Sequence, residues 1–204
     1  PPRSPPAGPS GRARVPIVTG GGRGVGRGIG LALAKSGAAV AVLENDPATG
    51  VRTANELVAL GAHALAQPCD VKRLDDCKAG VAATIDAFGG IDILVNNAQQ
   101  VRPNVRFEDV TDDDMSTCWE SGPLASFHLM QLVHPHLRER GGGAIVNLGS
   151  GAGTEGMPGF TAYAAAKEAI RGLTKVAARE WGSDRIRVNT ICPYASSEFW
   201  HLLS

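Results

Sequence analysis

Six short, mostly apolar runs recur along the chain, and longer mixed stretches separate them. The runs lie near residues 15–19, 39–43, 62–66, 91–95, 143–148 and 186–191. Helices are predicted between them, near residues 24–36, 47–60, 73–88, 112–138 and 161–182. Nearly continuous apolar strands are typical of sheets covered on both sides, and alternation of strands with helices favours parallel pairing. We therefore predict an α/β domain, a doubly wound parallel sheet of about six strands with helices on both faces.

Composition and charge fit one folded domain. The chain has 204 residues, 43% of them hydrophobic, with 20 basic and 20 acidic side chains. A chain without excess charge has nothing to attract nucleic acid or an anionic membrane, and no apolar run approaches the roughly 20 residues that cross a bilayer. We expect a soluble, cytoplasmic protein with neither partner. Residues 1–14 are rich in Pro, Gly, Ser and Arg and are predicted to be disordered, which leaves 15–204 as the domain.

The cysteines and histidines do not form a metal motif. The four cysteines show neither C-x-x-C spacing nor the density of a disulfide scaffold, so they are predicted to be reduced thiols. His134 and His136 flank Pro135 but lack the H-E-x-x-H pattern of a helical zinc site. We predict packing or surface roles for these side chains and no metal.

A glycine-rich turn follows the first predicted strand and opens the first predicted helix. It contains Gly20, Arg23, Gly24, Val25 and Gly26. Glycines give the backbone left-handed angles and let a pyrophosphate approach the amides, and a helix N-terminus offers that anion unpaired N–H groups and partial positive charge. The turn predicts a dinucleotide cradle in a Rossmann-type sheet, where ligands bind at the carboxyl ends of the strands. A glycine loop without a ligand is the alternative.

An acidic residue closes the second predicted strand. Glu44 follows residues 39–43, at the place where dinucleotide folds put a carboxylate about twenty positions beyond the glycines to bind the ribose hydroxyls. A carboxylate there repels a 2′-phosphate and favours NAD, whereas Arg23 would pair with that phosphate and favour NADP. Glu44 has its own alternative as a solvated loop carboxylate, with Asn45 and Asp46 equally available. We predict NAD as the cofactor, with NADP possible.

A Ser, a Tyr and a Lys form the candidate catalytic group. Tyr163 follows Ser150 by thirteen positions and opens Y-A-A-A-K, which ends at Lys167. A Tyr and a Lys four positions apart share one helix face, so the ammonium can stabilise the phenolate. Bringing a phenol from a pKa of about 10 to near neutrality needs roughly 3–4 kcal/mol from neighbouring positive charge. We expect Lys167 and a nicotinamide cation to supply it; a core Tyr beside a solvent-directed Lys is the alternative.

Together these motifs resemble the short-chain dehydrogenase/reductase family from about Val15 to Pro193. The resemblance rests on T-G-x-x-x-G-x-G from Thr19 to Gly26, on N-N-A at residues 96–98, and on the spacing of the Ser, Tyr and Lys. It implies hydride transfer between a nicotinamide and the carbon of an alcohol or ketone. The cofactor-binding residues it implies are Gly20, Arg23, Gly24, Val25, Gly26, Glu44, Asp70, Val71, Asn97, Ala98, Tyr163, Lys167 and Pro193.

The resemblance also implies a role for each member of the catalytic group. Tyr163 would exchange a proton with the substrate oxygen, Ser150 would hydrogen-bond that oxygen, and Lys167 would bind the nicotinamide ribose and lower the Tyr pKa. Asp70 would contact the adenine. The long predicted helices near 112–138 and 161–182 resemble those that form dimers in the family, so a homodimer or homotetramer is expected.

The chain departs from the family at several positions. Gly122 stands where many members carry an Asn, at a position that helps to hold a water relaying protons to the Lys. If the backbone carbonyl holds that water, Gly122 can still do so. Pro123 is expected to kink the helix there. Gln99 and Tyr194 each stand where a Gly is usual. Family members usually continue through a substrate-covering lobe to a seventh strand, so the predicted domain has a truncated substrate lobe. These departures leave a second reading open, a nucleotide-binding protein of the same fold with impaired catalysis.

Overall fold

The computed structural model describes residues 12–193, and the expectations for residues 1–11, for Tyr194 and for the segment after it lie outside the described residues. The strands are β1 Pro16–Thr19, β2 Val40–Glu44, β3 Ala64–Pro68, β4 Ile93–Asn96, β5 Gly143–Leu148 and β6 Ile186–Ile191. The helices are α1 Gly24–Lys35, α2 Pro47–Ala59, α3 Leu74–Phe88, α4 Asp112–Trp119, α5 Ala125–Glu139, α6 Gly151–Glu155 and α7 Thr161–Glu180.

The six strands form one sheet in the order β3-β2-β1-β4-β5-β6. Every neighbouring pair is parallel, and β1 lies between β2 and β4, with Ile17 opposite both Ala41 and Leu94. This confirms the predicted sheet. The strand order reverses between β1 and β4, and a crevice opens at the carboxyl ends of strands at such a point.

Successive residues of each strand pack on opposite faces of the sheet. On β1, Ile17 joins a buried cluster with Leu129 of α5 and Cys77 of α3, whereas Val18 joins a second cluster with Leu57 of α2. Because side chains alternate along a strand, one apolar run fills both clusters. This arrangement explains why the strands are apolar at almost every position.

The helix predicted over residues 112–138 is interrupted. A π-helical turn, Glu120–Leu124, separates α4 from α5 and contains the buried Pro123. Proline has no N–H for the regular helical ladder, and a wider turn accommodates it. The predicted disruption at Pro123 therefore takes the form of an extra residue in the turn. The short helix α6 was not predicted.

Arg12, three residues before the predicted start of the domain, contacts the sheet. The Arg12 guanidinium donates to both carboxylate oxygens of Asp92, at 3.1 and 2.7 Å, and Asp92 Oδ2 also accepts from the Val15 amide at 2.9 Å. These bonds fix the chain at the amino end of β1. Within residues 12–193, no helix has both the length and the apolar character needed to cross a bilayer.

Candidate active site

A cleft of about 850 Å³ opens at the carboxyl ends of the strands. All the predicted site residues except Gly26 line it, so residues from seven separate stretches of the chain meet there. The lining residues that the sequence predicted are Gly20, Arg23, Gly24, Val25, Glu44, Asp70, Val71, Asn97, Ala98, Ser150, Tyr163, Lys167 and Pro193.

The glycines of the turn serve different physical purposes. Gly20 and Gly24 have φ of 60° and 54°, the left-handed region that favours glycine. A Cβ on Gly24 would meet no atom within 4 Å, so the N-terminus of α1 faces open space in the cleft. A Cβ on Gly26 would instead lie within 3.0 Å of Gly20 O and Asn97 Nδ2. Gly24 therefore fits the approach of a phosphate, while Gly26 is needed for packing behind the turn.

Asn97 braces the turn from the end of β4. Its side-chain nitrogen donates to Thr19 O at 2.9 Å and to Gly20 O at 3.1 Å. Thr19 Oγ1 in turn accepts from the amides of Asn97 and Ala98, both at 3.0 Å. The sequence predicts cofactor binding for Asn97 and no separate role for Thr19. The structure shows that both side chains fix the glycine turn relative to β4.

Glu44 holds the turn from the other side. The residue is only 7% exposed; its Oε2 accepts from the Gly22 amide at 2.8 Å and its Oε1 from the Asp46 amide at 3.2 Å. It also lines the cleft. A carboxylate has about four lone-pair sites, so two amide bonds leave acceptor capacity for hydroxyl donors. Glu44 is therefore a structural brace that can also receive a ribose, and it is not an ordinary solvated carboxylate.

The candidate catalytic side chains meet beyond the end of β5. Ser150 caps α6, and its Oγ accepts from the Ala152 amide at 3.2 Å. Tyr163 and Lys167 lie one turn apart on α7, with Lys167 Nζ 5.3 Å from the centre of the Tyr163 ring. Lys167 is 2% exposed and donates to Leu148 O at 2.8 Å. The predicted shared helix face is confirmed.

Burial dominates the electrostatics of this group. Burial raises the pKa of Tyr163 above its ordinary value, and a hydrogen bond with Ser150 acts in the opposite direction. Burial lowers the pKa of Lys167 to about 8. The predicted lowering of the Tyr163 pKa includes a bound nicotinamide cation and stays a prediction for the protein with cofactor; without cofactor the pKa of Tyr163 is raised. The physical reason is that removing water from both groups disfavours both charged forms.

Two departures from the family pattern contact each other. The Gln99 carboxamide lies against Gly122, where a Cβ would come within 3.0 Å of its terminal atoms. Its Nε2 donates to Cys118 O at 2.9 Å and to Ser121 Oγ at 3.2 Å. In the sequence, 23 positions separate Gln99 from Gly122. Only the tertiary structure relates them.

The histidine cluster forms ordinary packing and polar contacts. His134 Nε2 lies 3.1 Å from Asp184 Oδ2, and its ring stacks on Trp181 at a centroid distance of 4.5 Å. Among the residues that the structure describes, no group of three or more His, Cys, Asp or Glu side chains could hold a metal ion.

Comparison with known sequences gives one consistent family. The family model described as short chain dehydrogenase matches residues 14–198. A 12α-hydroxysteroid dehydrogenase from Clostridium sp. is 40% identical over 189 residues, covering 89% of this chain and 73% of that protein. A cyclohexanol dehydrogenase from Acinetobacter sp. is 33% identical over 180 residues, which cover 88% of this chain and 72% of that protein.

Solved structures give the same result. The 7α-hydroxysteroid dehydrogenase complexed with NADH and 7-oxo glycochenodeoxycholic acid has a TM-score of 0.89 and 32% identity, covering 94% of this chain and 74% of that one. The NAD⁺-bound xylitol dehydrogenase has a TM-score of 0.88 and 31% identity, and the match covers 92% of this chain and 72% of that one.

Proposed function

Because the chain belongs to the short-chain dehydrogenase family, we propose that it transfers a hydride between NAD(H) and the carbinol or carbonyl carbon of an alcohol or ketone. The observation that carries this proposal is the convergence of Ser150, Tyr163 and Lys167 on a cleft that also contains the glycine turn and Glu44. A cofactor cradle and a proton-exchanging group thus share one cavity, as hydride transfer to or from a carbonyl requires.

The described residues fit an NAD molecule laid along the cleft. Gly24, at the open N-terminus of α1, would hold the pyrophosphate, and Glu44 would accept from the adenosine ribose. Asp70 and Val71 would flank the adenine, and Lys167 would donate to the nicotinamide ribose. When bound, NAD supplies the carbon that accepts or donates the hydride. The carboxylate of Glu44 favours NAD over NADP.

Each catalytic side chain has a distinct task in this proposal. Ser150 Oγ already accepts from the Ala152 amide, so its hydroxyl hydrogen can be donated to the substrate oxygen. Tyr163 exchanges a proton with that oxygen, and its partial burial keeps bulk water from competing for the proton. Lys167 adds positive charge beside the phenol and favours the phenolate when alcohol is oxidised.

We also propose a cyclic secondary alcohol or the matching ketone as the substrate class. The names of several relatives support this: a 12α-hydroxysteroid dehydrogenase, a cyclohexanol dehydrogenase and a 2,5-dichloro-2,5-cyclohexadiene-1,4-diol dehydrogenase. All three names describe a hydroxyl group on a ring carbon. A panel of cyclohexanol, a hydroxysteroid and linear secondary alcohols tests the class, and faster turnover of the linear alcohols would contradict it.

A homo-oligomer is proposed through the helices that precede and follow β5. Large apolar side chains are exposed on these helices, including Trp119 on α4, Phe127 on α5 and Val176 on α7, at 49%, 39% and 56%. Apolar side chains exposed together are typical of contact surfaces between subunits. Sedimentation equilibrium tests this assembly, and a monomer at micromolar concentration would contradict it.

The test of the function is Tyr163→Phe, which keeps the ring and removes the hydroxyl. We expect kcat to fall by roughly 10²- to 10⁴-fold, the usual contribution of a general acid or base, because proton exchange is lost. NADH affinity, measured by quenching of protein fluorescence, should change little. Equal turnover in the variant and the parent, followed at the nicotinamide absorbance band, would disprove the role of Tyr163.

A second candidate function, a catalytically impaired nucleotide-binding protein, is favoured by the missing side chain at Gly122. It predicts NADH binding in the parent with no turnover of any alcohol or ketone. The same two measurements separate it from a working dehydrogenase.

A further inference from the structure

The loop that joins β4 to α4 packs against the first turns of α7. Val101 and Val110 of this loop pack against the same buried cluster as Tyr163. The members of that cluster are Cys118, Ala162 and Ala166. The loop therefore contributes to the packing of the tyrosine to which the proposed function gives the proton exchange.

An isolated β-bridge joins this loop to the segment that leads into α7. Val105 pairs in parallel with Phe160, and the Val105 amide donates to Gly159 O at 3.2 Å. Val105 and Phe160 are both buried, with 9% and 3% of their surface exposed. The bridge thus connects a loop that follows β4 to a segment that follows β5, immediately before the helix that carries Tyr163.

Two residues with left-handed backbone angles meet at the bridge. Gly159 has a φ of 80° and Asn104 has a φ of 60°. Asn104 and Arg185 are the two non-glycine residues with positive φ in residues 12–193. A Cβ on Gly159 would lie 3.1 Å from Asn104 Cα, so the two backbones are in close contact. Uncommon backbone angles persist only where the surrounding contacts hold them, and they cluster at active sites.

Phe160 connects the bridge to Tyr163. It is the N-cap residue of α7, and its carbonyl accepts from the Ala164 amide at 2.7 Å. Its ring lies edge-on to the Tyr163 ring at a centroid distance of 6.1 Å, which is within the usual range of aromatic pairs. A Phe side chain has no oxygen to offer to the first amides of a helix. The position of this end of α7 therefore depends on the backbone and ring contacts of Phe160.

We propose that Val105 and Gly159 are positioning residues of the catalytic site. The bridge that they form with Phe160 fixes the first turn of α7 and so sets where the Tyr163 hydroxyl lies relative to Ser150. A glycine at residue 159 lets the two backbones come this close. Placement of this kind matters because a displacement of about 1 Å can cost roughly 10²-fold in rate. The effect on turnover rests on the proposed function, whereas the effect on the first turn does not.

The first experiment measures hydrogen exchange of single amides by NMR in the cofactor-free protein. Gly159→Ala should push the Asn104 backbone out of the bridge. Exchange of the Ala164 amide, which closes the first turn of α7, should then be about tenfold faster or more, because that turn opens locally.

Gly156→Ala is the matched control for that variant. Gly156 has a φ of 68°, so an alanine is strained there as it is at residue 159, but its Cβ would meet no atom within 4 Å. It should leave exchange at Ala164 close to that of the parent. An equal change in the two variants would show that backbone strain, and not the contact with Asn104, is responsible, and would disprove the proposal.

A second pair of variants approaches the bridge from the other loop. Asn104→Val puts a β-branched residue at a positive φ, which such residues avoid, whereas Asn104→Gly keeps that conformation without strain. Residue 104 is exposed, so neither change alters the core. Asn104→Val should quicken exchange at Ala164, and Asn104→Gly should not.

The amide of Ile145, a buried residue of β5, is the reference for these variants. Exchange there should stay as it is in the parent. If Ile145 and Ala164 were quickened to the same extent, a general loss of stability would account for the result and the bridge would have no specific role. Unchanged exchange at Ala164 in Asn104→Val would contradict the proposal equally.

The second experiment is a kinetic double-mutant cycle. Gly159→Ala should lower kcat by about tenfold, equivalent to ~1.4 kcal/mol, and leave KM for NAD nearly unchanged, because the nucleotide half of the cleft is not altered. In a Tyr163→Phe background the same change should lower the residual turnover no further, because the hydroxyl that it displaces is already absent. Gly156→Ala should keep the kcat of the parent.

The two experiments separate the positioning role from the proposed function. An equal loss of kcat from Gly159→Ala in both backgrounds would overturn the positioning of Tyr163. If the hydrogen-exchange results hold while the parent itself turns over no alcohol or ketone, the proposed function fails and the role of the bridge in fixing the first turn of α7 stands.

Discussion

The two halves of the cleft differ in how their polar groups are paired. The nucleotide half consists of the glycine turn, Glu44 and Asn97, and its side chains already bond to the backbone of the protein. The catalytic half consists of Ser150, Tyr163, Lys167 and Gln99. There, Lys167 uses one of its three donors and Gln99 Oε1 uses none of its acceptor capacity within residues 12–193.

This difference shows what each half must do. The nucleotide half has to hold a backbone shape before the cofactor arrives, so its hydrogen bonds are internal and rigid. In the proposed function the catalytic half exchanges protons, and it contains buried groups whose burial shifts the pKa, as for Tyr163 and Lys167. In this cleft, the side chains that keep unpaired donors or acceptors lie in the proposed catalytic half. The side chains whose hydrogen bonds are satisfied within the protein lie in the half that holds the glycine turn.

The largest effect is expected from Gly26→Ala in the nucleotide half. The new Cβ would meet Gly20 O and Asn97 Nδ2 within 3.0 Å, and the backbone of the turn cannot yield as a side chain can. We expect a loss of about 3 kcal/mol in the free energy of unfolding, at the upper end of overpacking costs, together with loss of NAD binding. Urea unfolding and fluorescence quenching measure the two effects.

Gly28→Ala is the matched control for that change. Gly28 lies in the same helix, and a Cβ there would meet no atom within 4 Å. It should stabilise the protein by up to about 1 kcal/mol through helix propensity. If the two variants unfolded alike, close packing of the turn would not explain Gly26.

Asn97→Ala tests whether the brace acts without the cofactor. Two backbone carbonyls, those of Thr19 and Gly20, would lose their side-chain donor. A loss of about 2 kcal/mol in the cofactor-free protein is expected, typical of buried acceptors left unpaired. A variant that is as stable as the parent without NAD but binds NAD weakly would assign Asn97 to the cofactor instead.

Lys167→Met probes the cost of the buried ammonium in the catalytic half. The pKa of Lys167 is about 8 in the folded chain and higher in the unfolded chain. Between these two pKa values the unfolded chain binds more protons than the folded chain. The free energy of unfolding of the parent therefore increases as pH rises through that range. Below pH 8 the variant should be more stable by about 1–2 kcal/mol, after discounting the donor lost to Leu148 O.

The advantage of Lys167→Met should therefore shrink as pH rises from 8 towards 10.5. Urea unfolding at pH 6, 8 and 10 measures it. A difference that does not vary with pH would mean that Lys167 titrates normally.

The smallest effect is expected from Glu44→Gln, which keeps one of the two acceptor oxygens and removes the charge. The ratio of kcat/KM for NADP to that for NAD should rise by about tenfold, equivalent to ~1.4 kcal/mol, because the repulsion of a 2′-phosphate is lost. Arg23→Ala should move the ratio the other way. An unchanged ratio in Glu44→Gln would leave the residue with its structural role alone.

Much of the fold follows from local patterns in the sequence. The bounds predicted for β5 and β6 agree with the structure, and those of the other strands differ by at most two residues. The interruption at Pro123 was anticipated because proline removes a donor wherever it occurs. The π-helical form of the turn was not, since it depends on how α4 and α5 both pack against the rest of the domain.

The site was predicted less evenly. Tyr163 and Lys167 are close together because one helix fixes their spacing locally, whereas Ser150 joins them through the packing of β5 and α6 beside α7. The hydrogen bonds between Thr19 and Asn97 join residues 78 positions apart, and no local sequence pattern predicts them. That burial raises the pKa of Tyr163 in the absence of cofactor was not predicted for a related reason, because burial depends on how all the elements pack together.

By itself, the sequence determined the parallel sheet, the glycine turn and the catalytic spacing, because each depends on residues that are near one another along the chain. Only the tertiary structure decided that Glu44 and Asn97 hydrogen-bond to the backbone of the glycine turn and the residues beside it. It also decided that burial shifts the pKa values of Tyr163 and Lys167, and that the Gln99 carboxamide packs against Gly122. Contacts between distant residues and the exclusion of water arise only when the strands and helices pack together.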